Sequence, residues 1–164
     1  MSRFRVLAAA VFAVSLAFAL YAGVRMWASA PDETASSREE ALRSARSAVE
    51  TFNTLDHRSV DAGLDRWQAT ATGPLAEELA DSRDSSRARI VEARTVTSGV
   101  VVDAAVTDLD PAAGTASVIA SVEVTVTPES GAAATKRVRF AATVTRTDQG
   151  WLLSGITQVP TSPV

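Results

Sequence analysis

The sequence predicts an α+β fold, in which one N-terminal transmembrane helix precedes a domain of about three helices packed on a curved four-stranded antiparallel sheet. Three observations lead to this prediction. A run without any charged residue extends from Val6 to Val24. Apolar residues then recur at helical spacing, and from Ile90 the spacing changes to the alternation of β-strands. Helices that precede an antiparallel meander are typical of an α+β domain whose helices cover one face of the sheet.

The uncharged run is long enough to cross a membrane. A helix rises about 1.5 Å per residue, so this run spans roughly the hydrocarbon core of a bilayer. Arg3 and Arg5 precede it, and the positive-inside rule therefore places the N-terminus in the cytoplasm. The prediction is a single-pass protein of the inner or plasma membrane with five segments: a cytoplasmic N-terminus at 1–5, a transmembrane signal-anchor helix at 6–27, a linker at 28–36, an extracytoplasmic α+β domain at 37–160 and a flexible tail at 161–164.

A cleaved signal peptide is the competing interpretation of the same run. Ala28-Ser29-Ala30 has the small residues of a cleavage site. However, the run is longer than the roughly 7–15 apolar residues of a signal peptide. Pro31 would also directly follow the cut, where proline is poorly tolerated. We therefore favour an uncleaved anchor.

The first helix of the domain is predicted from a capping box. Ser37 and Glu40 have the spacing at which a serine caps a helix and a glutamate three residues later reaches back to it. The helix is predicted to extend from Ser37 as N-cap to about Phe52. Its apolar stripe consists of four residues: Leu42, Ala45, Val49 and Phe52. We expect this stripe to pack on the sheet.

Two shorter helices are predicted after a turn at 53–58. Asp61 is placed to cap the first of them, with Leu64 and Trp67 pointing inward. Thr72 is placed to cap the second, because a glycine and a proline follow it.

The stretch at 81–89 alternates acidic and basic residues. Such alternation is typical of a solvated face or a loop, and we predict one of these here.

Four strands are predicted at about 94–109, 115–127, 135–147 and 151–159. The second has the clearest signal, because apolar and polar residues alternate along its whole length. In the first strand, five residues are predicted to share one face: Val96, Val100, Val102, Ala104 and Val106. The pair Ser98-Gly99 within it predicts a bulge or a bend.

Composition excludes several classes of partner. All 19 acidic residues but only 13 of the 16 basic residues follow the predicted membrane helix at 6–27, so this part has a net charge of 13 − 19 = −6. Nucleic acid and anionic membrane surfaces attract positive charge, and we expect neither as a partner. Cysteine is absent and histidine occurs once, which leaves few ways to build a transition-metal site.

Four side chains are candidates for acid–base chemistry or for supporting it. His57 and Asp56 are neighbours in a predicted turn, where adjacent side chains do not face each other. Asp103 lies in an apolar run and could be the buried acid of an isomerase-type pocket, but strand parity places it opposite the valine-rich face. Glu123 has the same status. We predict that His57 is exposed and that Asp103 and Glu123 are exposed or partly exposed.

Trp67 and Trp151 are predicted to be core aromatic residues and not a platform for a ligand. The sequence lacks the spacing motifs of serine hydrolases, zinc proteases and nucleotide-binding loops. We therefore assign no catalytic, cofactor-binding or metal-binding residue, and we expect the chain not to be an enzyme.

Two segments of the sequence resemble the Mce-associated membrane proteins of actinobacteria. They extend from Thr54 to Gly73 and from Asp148 to Pro160, and the resemblance covers nearly the full length of the chain. The typical features are a Thr-Gly pair before a helix, here Thr72-Gly73, and a closing Gly-Trp-Leu-Leu-Ser, here 150–154. The chain departs from the family at Pro74, where an aromatic residue is common.

The resemblance implies the cone-shaped fold of nuclear transport factor 2 and the SnoaL-like proteins. It also implies a non-enzymatic, membrane-anchored accessory or scaffold protein of an Mce-type lipid or sterol import system. The expected partners are Mce transporter proteins and, inside the cone, an apolar lipid. Two alternatives stay open: a single-span subunit of another envelope machine, as in type IV secretion, and a SnoaL-like lipid-binding or isomerase domain.

Overall fold

The computed structural model describes residues 33–160. The predicted cytoplasmic N-terminus, the predicted membrane span at 6–27, and the predicted tail lie outside the described residues. Within 33–160, no helix is both long and apolar enough to cross a membrane.

The first helix of the described chain, α1, extends over Glu33–Phe52. It begins before the predicted cap, so Ser37 is an interior residue and the last part of the predicted linker at 28–36 is helical. Glu33 lies in the first turn, where an acidic side chain is favoured by the helix dipole. The buried face is lined largely by small residues: Ala41, Ala45, Ala48 and Val49. Small side chains allow a helix to lie close against a sheet.

The predicted turn at 53–58 contains a fifth strand. Leu55–Asp56 form β1, which pairs antiparallel with the strand that begins at Thr95, and His57–Ser59 form a 3₁₀ turn. Leu55 is buried, and it fits because Gly63 lies opposite: a Cβ at Gly63 would approach Leu55 Cδ1 to 2.9 Å. A strand of two residues has no alternation to recognise, so the predicted count of four strands is wrong.

Three helices follow, α2 over Val60–Thr70, α3 over Gly73–Asp81 and α4 over Arg83–Ala93. The described chain therefore has four α-helices, one more than predicted. The N-cap of α2 is Ser59, and Asp61 lies in the first turn instead of capping it. Thr72 does occupy the N-cap position of α3, as predicted, although its side chain makes no capping hydrogen bond. The charged stretch predicted as a solvated face or loop is largely the helix α4, which has no buried residue.

The remaining strands are β2 over Thr95–Asp110, β3 over Thr115–Pro128, β4 over Ala134–Thr147 and β5 over Gly150–Val159. All pairs are antiparallel, and the sheet order β1-β2-β3-β4-β5 is a simple meander. The four predicted strands are confirmed, with bounds that differ by about one residue.

The predicted face of β2 is partly wrong. The register shifts between Val101 and Asp103 and again further along the strand. At each shift, β2 has one more residue than the paired stretch of β3. Val101 is only 4% exposed, whereas Val100 and Val102 are 57% and 48% exposed. Ala104 packs against the core as predicted, because the bulge at Val102 reverses the parity of the strand. The predicted bulge at Ser98-Gly99 is absent, since pairing is continuous there.

The core lies between α1 and the inner face of the sheet. Its largest fully buried side chains come from α1, β3, β4 and β5: Val49, Val118, Val122, Val144 and Leu153. Helix α3 joins this core through Leu75, and Ala71 forms a parallel bridge to Leu153. The inner face of the sheet is therefore filled by protein side chains, and open surface remains on the outer face and beside the end of α1.

Candidate interaction surfaces

The outer face of β2, β3 and β4 combines apolar and charged side chains. A depression of about 450 Å³ lies on it, lined by residues of all three strands. Paired residues on neighbouring strands point to the same side of a sheet, so the register defines this face. Its three rows are Val100–Glu123–Arg137, Asp103–Ser121–Arg139 and Ala105–Ile119–Ala141. We call these nine residues together with Val102 the outer sheet face.

Both candidate carboxylates of the sheet lie on this outer sheet face. Asp103 and Glu123 are exposed, as predicted, and Glu123 lies 3.6 Å from the Arg137 guanidinium. An isomerase-type pocket would need a carboxylate enclosed among apolar side chains. These two residues therefore cannot form such a site in this structure.

The free edge of β2 is covered by polar side chains of α1. Pairing with β1 ends at Thr97, and beyond it Val101 N–H donates to Glu50 Oε1 at 2.9 Å. The Arg46 guanidinium donates to the Val101 carbonyl at 3.2 Å, and that of Arg38 donates to the Val106 carbonyl at 3.2 Å. An exposed strand edge is a template for pairing with other chains. Helix α1 blocks that use of this edge.

A second depression, of about 260 Å³, lies beside the end of α1. Its wall includes Phe52 and Trp67, whose rings stack with centroids 5.4 Å apart and planes inclined by 8°. Trp67 Nε1 donates to the Thr51 carbonyl at 2.9 Å, so the indole is held in place. Helix α4 borders the depression with Ile90 and Arg89. Trp67 is thus a half-buried wall residue, whereas Trp151 lies in the core as predicted.

The single histidine belongs to a polar cluster at one end of the sheet. His57 Nδ1 lies 3.3 Å from the Thr95 carbonyl and 3.7 Å from Asp56 Oδ1, and its Nε2 lies 4.0 Å from Glu129. The side chain of His57 is only 13% exposed, so the prediction that it is exposed is wrong. The short 3₁₀ turn places the ring against β2, and no local pattern in the sequence indicates that contact.

Asp56 is engaged chiefly by Arg58. The guanidinium donates to both carboxylate oxygens, from Nη2 to Oδ2 at 2.7 Å and from Nε to Oδ1 at 2.9 Å, and the Arg58 backbone N–H also donates to Oδ1 at 2.9 Å. These bonds lower the pKa of Asp56 to about 2, first through the side chain of Arg58 and then through its backbone. The carboxylate is therefore a cap for the 3₁₀ turn and not a free base. Among residues 33–160, no group of three or more acidic, histidine or cysteine side chains is arranged to hold a metal ion.

Comparison with solved structures identifies domains of the same fold. An IcmL-like type IV secretion system protein from Legionella pneumophila matches with a TM-score of 0.62 at 14% identity, over 77% of this chain and 95% of that chain. The periplasmic domain of DotI matches with a TM-score of 0.61 at 14% identity, over 73% and 93%. CagV, a VirB8 homolog from Helicobacter pylori, matches with 0.56 at 8% identity, over 73% and 99%.

No family model matches the sequence, and a search of curated proteins finds no match. At such low identities the structural likeness shows the fold alone. The chain thus has the cone-like α+β fold of these secretion-system domains: four helices on a curled five-stranded antiparallel sheet.

Proposed function

We propose that this chain is a non-enzymatic, membrane-anchored structural subunit of a multi-protein complex in the cell envelope, of the type IV secretion kind. The observation that supports this most is the match to nearly the full length of three secretion-system domains. One of these is a periplasmic domain by description, which agrees with an extracytoplasmic position for the domain predicted here. The predicted span at 6–27 would supply the anchor.

A structural and not an enzymatic role is supported by the state of the polar side chains. Asp56 is engaged by Arg58, and His57 is packed against a backbone carbonyl. Asp103 and Glu123 lie on an open surface. Acid–base catalysis needs such groups held together around a substrate, in a site from which water is excluded. None of these four has that environment.

An accessory role in Mce-type lipid or sterol import is the second candidate, and it rests on the sequence resemblance. The structure gives the two motifs of that resemblance a shared physical role. The Thr72 N–H donates to the Leu153 carbonyl at 2.8 Å, so the Thr-Gly pair and the closing Gly-Trp-Leu-Leu-Ser contact each other. The two motifs connect α3 to β5. The fold alone is therefore sufficient to explain why both motifs occur in this chain. The structural comparisons favour the secretion-type complex.

Affinity purification of the tagged full-length protein from its native membrane in mild detergent tests the proposal. Mass spectrometry would identify the proteins and lipids that are recovered, and an unrelated tagged single-span protein from the same membrane would serve as control. Specific recovery of secretion ATPases and other secretion subunits is expected. Recovery of Mce proteins and their permeases would move the chain to the second candidate. Recovery of a stoichiometric lipid without any protein partner would contradict both.

A further inference from the structure

We propose that the outer sheet face binds a second copy of this chain, in a two-fold dimer in which Asp103 of each copy faces Arg139 of the other. This inference does not depend on the proposed function, because it rests only on the exposure, charge and register of the outer sheet face.

The outer sheet face carries most of the exposed large hydrophobic residues of the described chain. In the part of the chain that the structure describes, four large hydrophobic residues are exposed, and three of them lie here: Val100, Val102 and Ile119. Exposed apolar side chains that cluster, instead of scattering singly, mark interaction sites. The bulge in β2 turns Val102 outward beside its neighbour Asp103, and bulges commonly redirect side chains in this way.

The charges of this face are arranged symmetrically about its central strand. Asp103 on β2 and Arg139 on β4 both pair with Ser121 on β3, so the three form one row. Neighbouring strands are about 4.8 Å apart, which places the two charged residues roughly 10 Å from each other, on opposite sides of Ser121. Within residues 33–160, neither side chain forms an ion pair or a hydrogen bond.

A two-fold axis that lies in the interface, parallel to β3, makes this row complementary to itself. Such an axis turns one face onto the other and exchanges the β2 side with the β4 side. Asp103 then lies over the partner's Arg139, and Arg139 over the partner's Asp103. In the next row, Ile119 meets its own copy, with small alanines on either side. An isologous interface requires this kind of self-complementary patch.

In the third row, Val100 would lie over the partner's Arg137, which sets an apolar side chain against a charged one. Glu123 would meet its own copy across the axis, but Arg137 of the same chain lies 3.6 Å from it. Each copy therefore presents an ion pair in this row and not an isolated negative charge. The net charge of the face, from two carboxylates and two guanidiniums, is zero. A neutral face with two self-complementary rows fits a second copy better than it fits a strongly charged partner.

Charge reversal tests the pairing directly. The full-length chain carrying Asp103→Arg, Arg139→Asp or both changes would be purified in mild detergent, and sedimentation would give the dimer dissociation constant. Each single reversal opposes like charges at two symmetric places, so we expect at least about a tenfold increase in that constant. The double variant restores both pairs, and we expect its constant to return to within about threefold of the wild type.

Mixing the two single variants provides a sharper result. The Asp103→Arg chain presents two positive side chains in this row, and the Arg139→Asp chain presents two negative ones. We therefore expect the equimolar mixture to form mixed dimers, although each variant alone is largely monomeric. Glu77→Arg, a reversal at an exposed residue of α3, serves as matched control and should leave the dimer unchanged. Far-UV circular dichroism would confirm that all variants are folded.

Cross-linking offers an independent measurement because the chain contains no cysteine. Ser121→Cys places a single thiol on the proposed axis, so two thiols would face each other between sheets about 10 Å apart, and a short bismaleimide should join two copies. Ser130→Cys, in the β3–β4 turn, should give little product. A monomeric wild type would overturn the proposal. So would a dimer whose dissociation constant is unchanged by every charge reversal. Protection of Ser121→Cys by a different protein in the native membrane would assign the face to that other occupant and also overturn it.

Discussion

The pKa of the Asp56 carboxyl is lowered, and one neighbouring residue, Arg58, is the main cause. The group ionises normally at 3.8 and has a pKa of about 2 in the folded protein, because Arg58 donates to the ionised form. A lowered carboxyl pKa stabilises the fold above the unfolded value, and this stabilisation is lost as the pH falls through the folded value. The contribution is therefore fully present above about pH 4 and disappears towards pH 2.

We expect Arg58→Ala to raise the pKa of Asp56 from about 2 towards its ordinary value of 3.8. NMR titration of the Asp56 carboxyl in the wild type and the variant would measure it. Arg87→Ala is the matched control, because Arg87 pairs instead with Asp61, at 3.1 Å. An Asp56 pKa that is the same in wild type and Arg58→Ala would show that the backbone N–H alone holds it down.

Gly99 is the position in β2 where the chain leaves no room for a side chain. A Cβ there would lie 2.4 Å from Asn53 Cβ and 3.3 Å from the Asn53 carbonyl oxygen. We expect Gly99→Ala to lower the free energy of unfolding by about 1–3 kcal/mol, measured by urea denaturation. Gly155→Ala in β5 is the control, since a Cβ at that position would have no neighbouring atom within 4 Å. Equal effects of the two substitutions would disprove the close approach.

At the scale of elements, α1 both fills the core and closes the edge of β2. Glu50 accepts a hydrogen bond from the partly buried Val101 N–H at 2.9 Å, next to the bulge. We expect Glu50→Ala to reduce the free energy of unfolding by about 1.5–3 kcal/mol, and Glu50→Gln by less, because the amide oxygen still accepts. Urea denaturation measures both. Glu39→Ala removes only an exposed ion pair with Arg43, so it should change stability by less than about 1 kcal/mol.

Helix α4 contrasts with α1, because it buries no residue and is joined to α2 by exposed ion pairs. It has no buried residue, and Arg83 and Arg87 pair with Asp65 and Asp61 of α2 at 2.8 and 3.1 Å. Helices with few buried contacts open at low free energy. Hydrogen exchange should therefore show less protection for α4 than for α1. Protection of α4 equal to that of α1 would mean that the ion pairs hold it as firmly as a core helix.

The sequence was informative where a local pattern determines the structure. The alternation from Val118 to Val124 predicted β3 correctly, because every second side chain is buried. The face on which Val100 and Val102 lie was predicted wrongly. One extra residue in β2 exchanges the inward and outward positions on one side of it relative to those on the other side. Helix α4 was not distinguished from a loop because a helix without a buried face has no apolar period.

At the scale of the whole molecule, the candidate surfaces depend on contacts that no local pattern contains. Asp103 and Arg139 flank Ser121 because of the registers of two separate strand pairs. Those registers are set by turn lengths and bulges, and a single sequence does not reveal them. The stacking of Phe52 on Trp67 likewise brings together α1 and α2. The fold class could therefore be predicted from the sequence, whereas the composition of the outer sheet face could not.

We propose above that this domain acts as one subunit of a larger envelope complex. The mass of the particle that contains the full-length protein tests it most directly. The protein would be extracted from native membranes in mild detergent, without overproduction, and the particle mass measured by sedimentation after correction for bound detergent. We expect a mass many times that of the 17.2 kDa chain, and well above that of a dimer. A particle that contains only one or two copies of this chain would contradict the proposed role as a subunit of a larger complex.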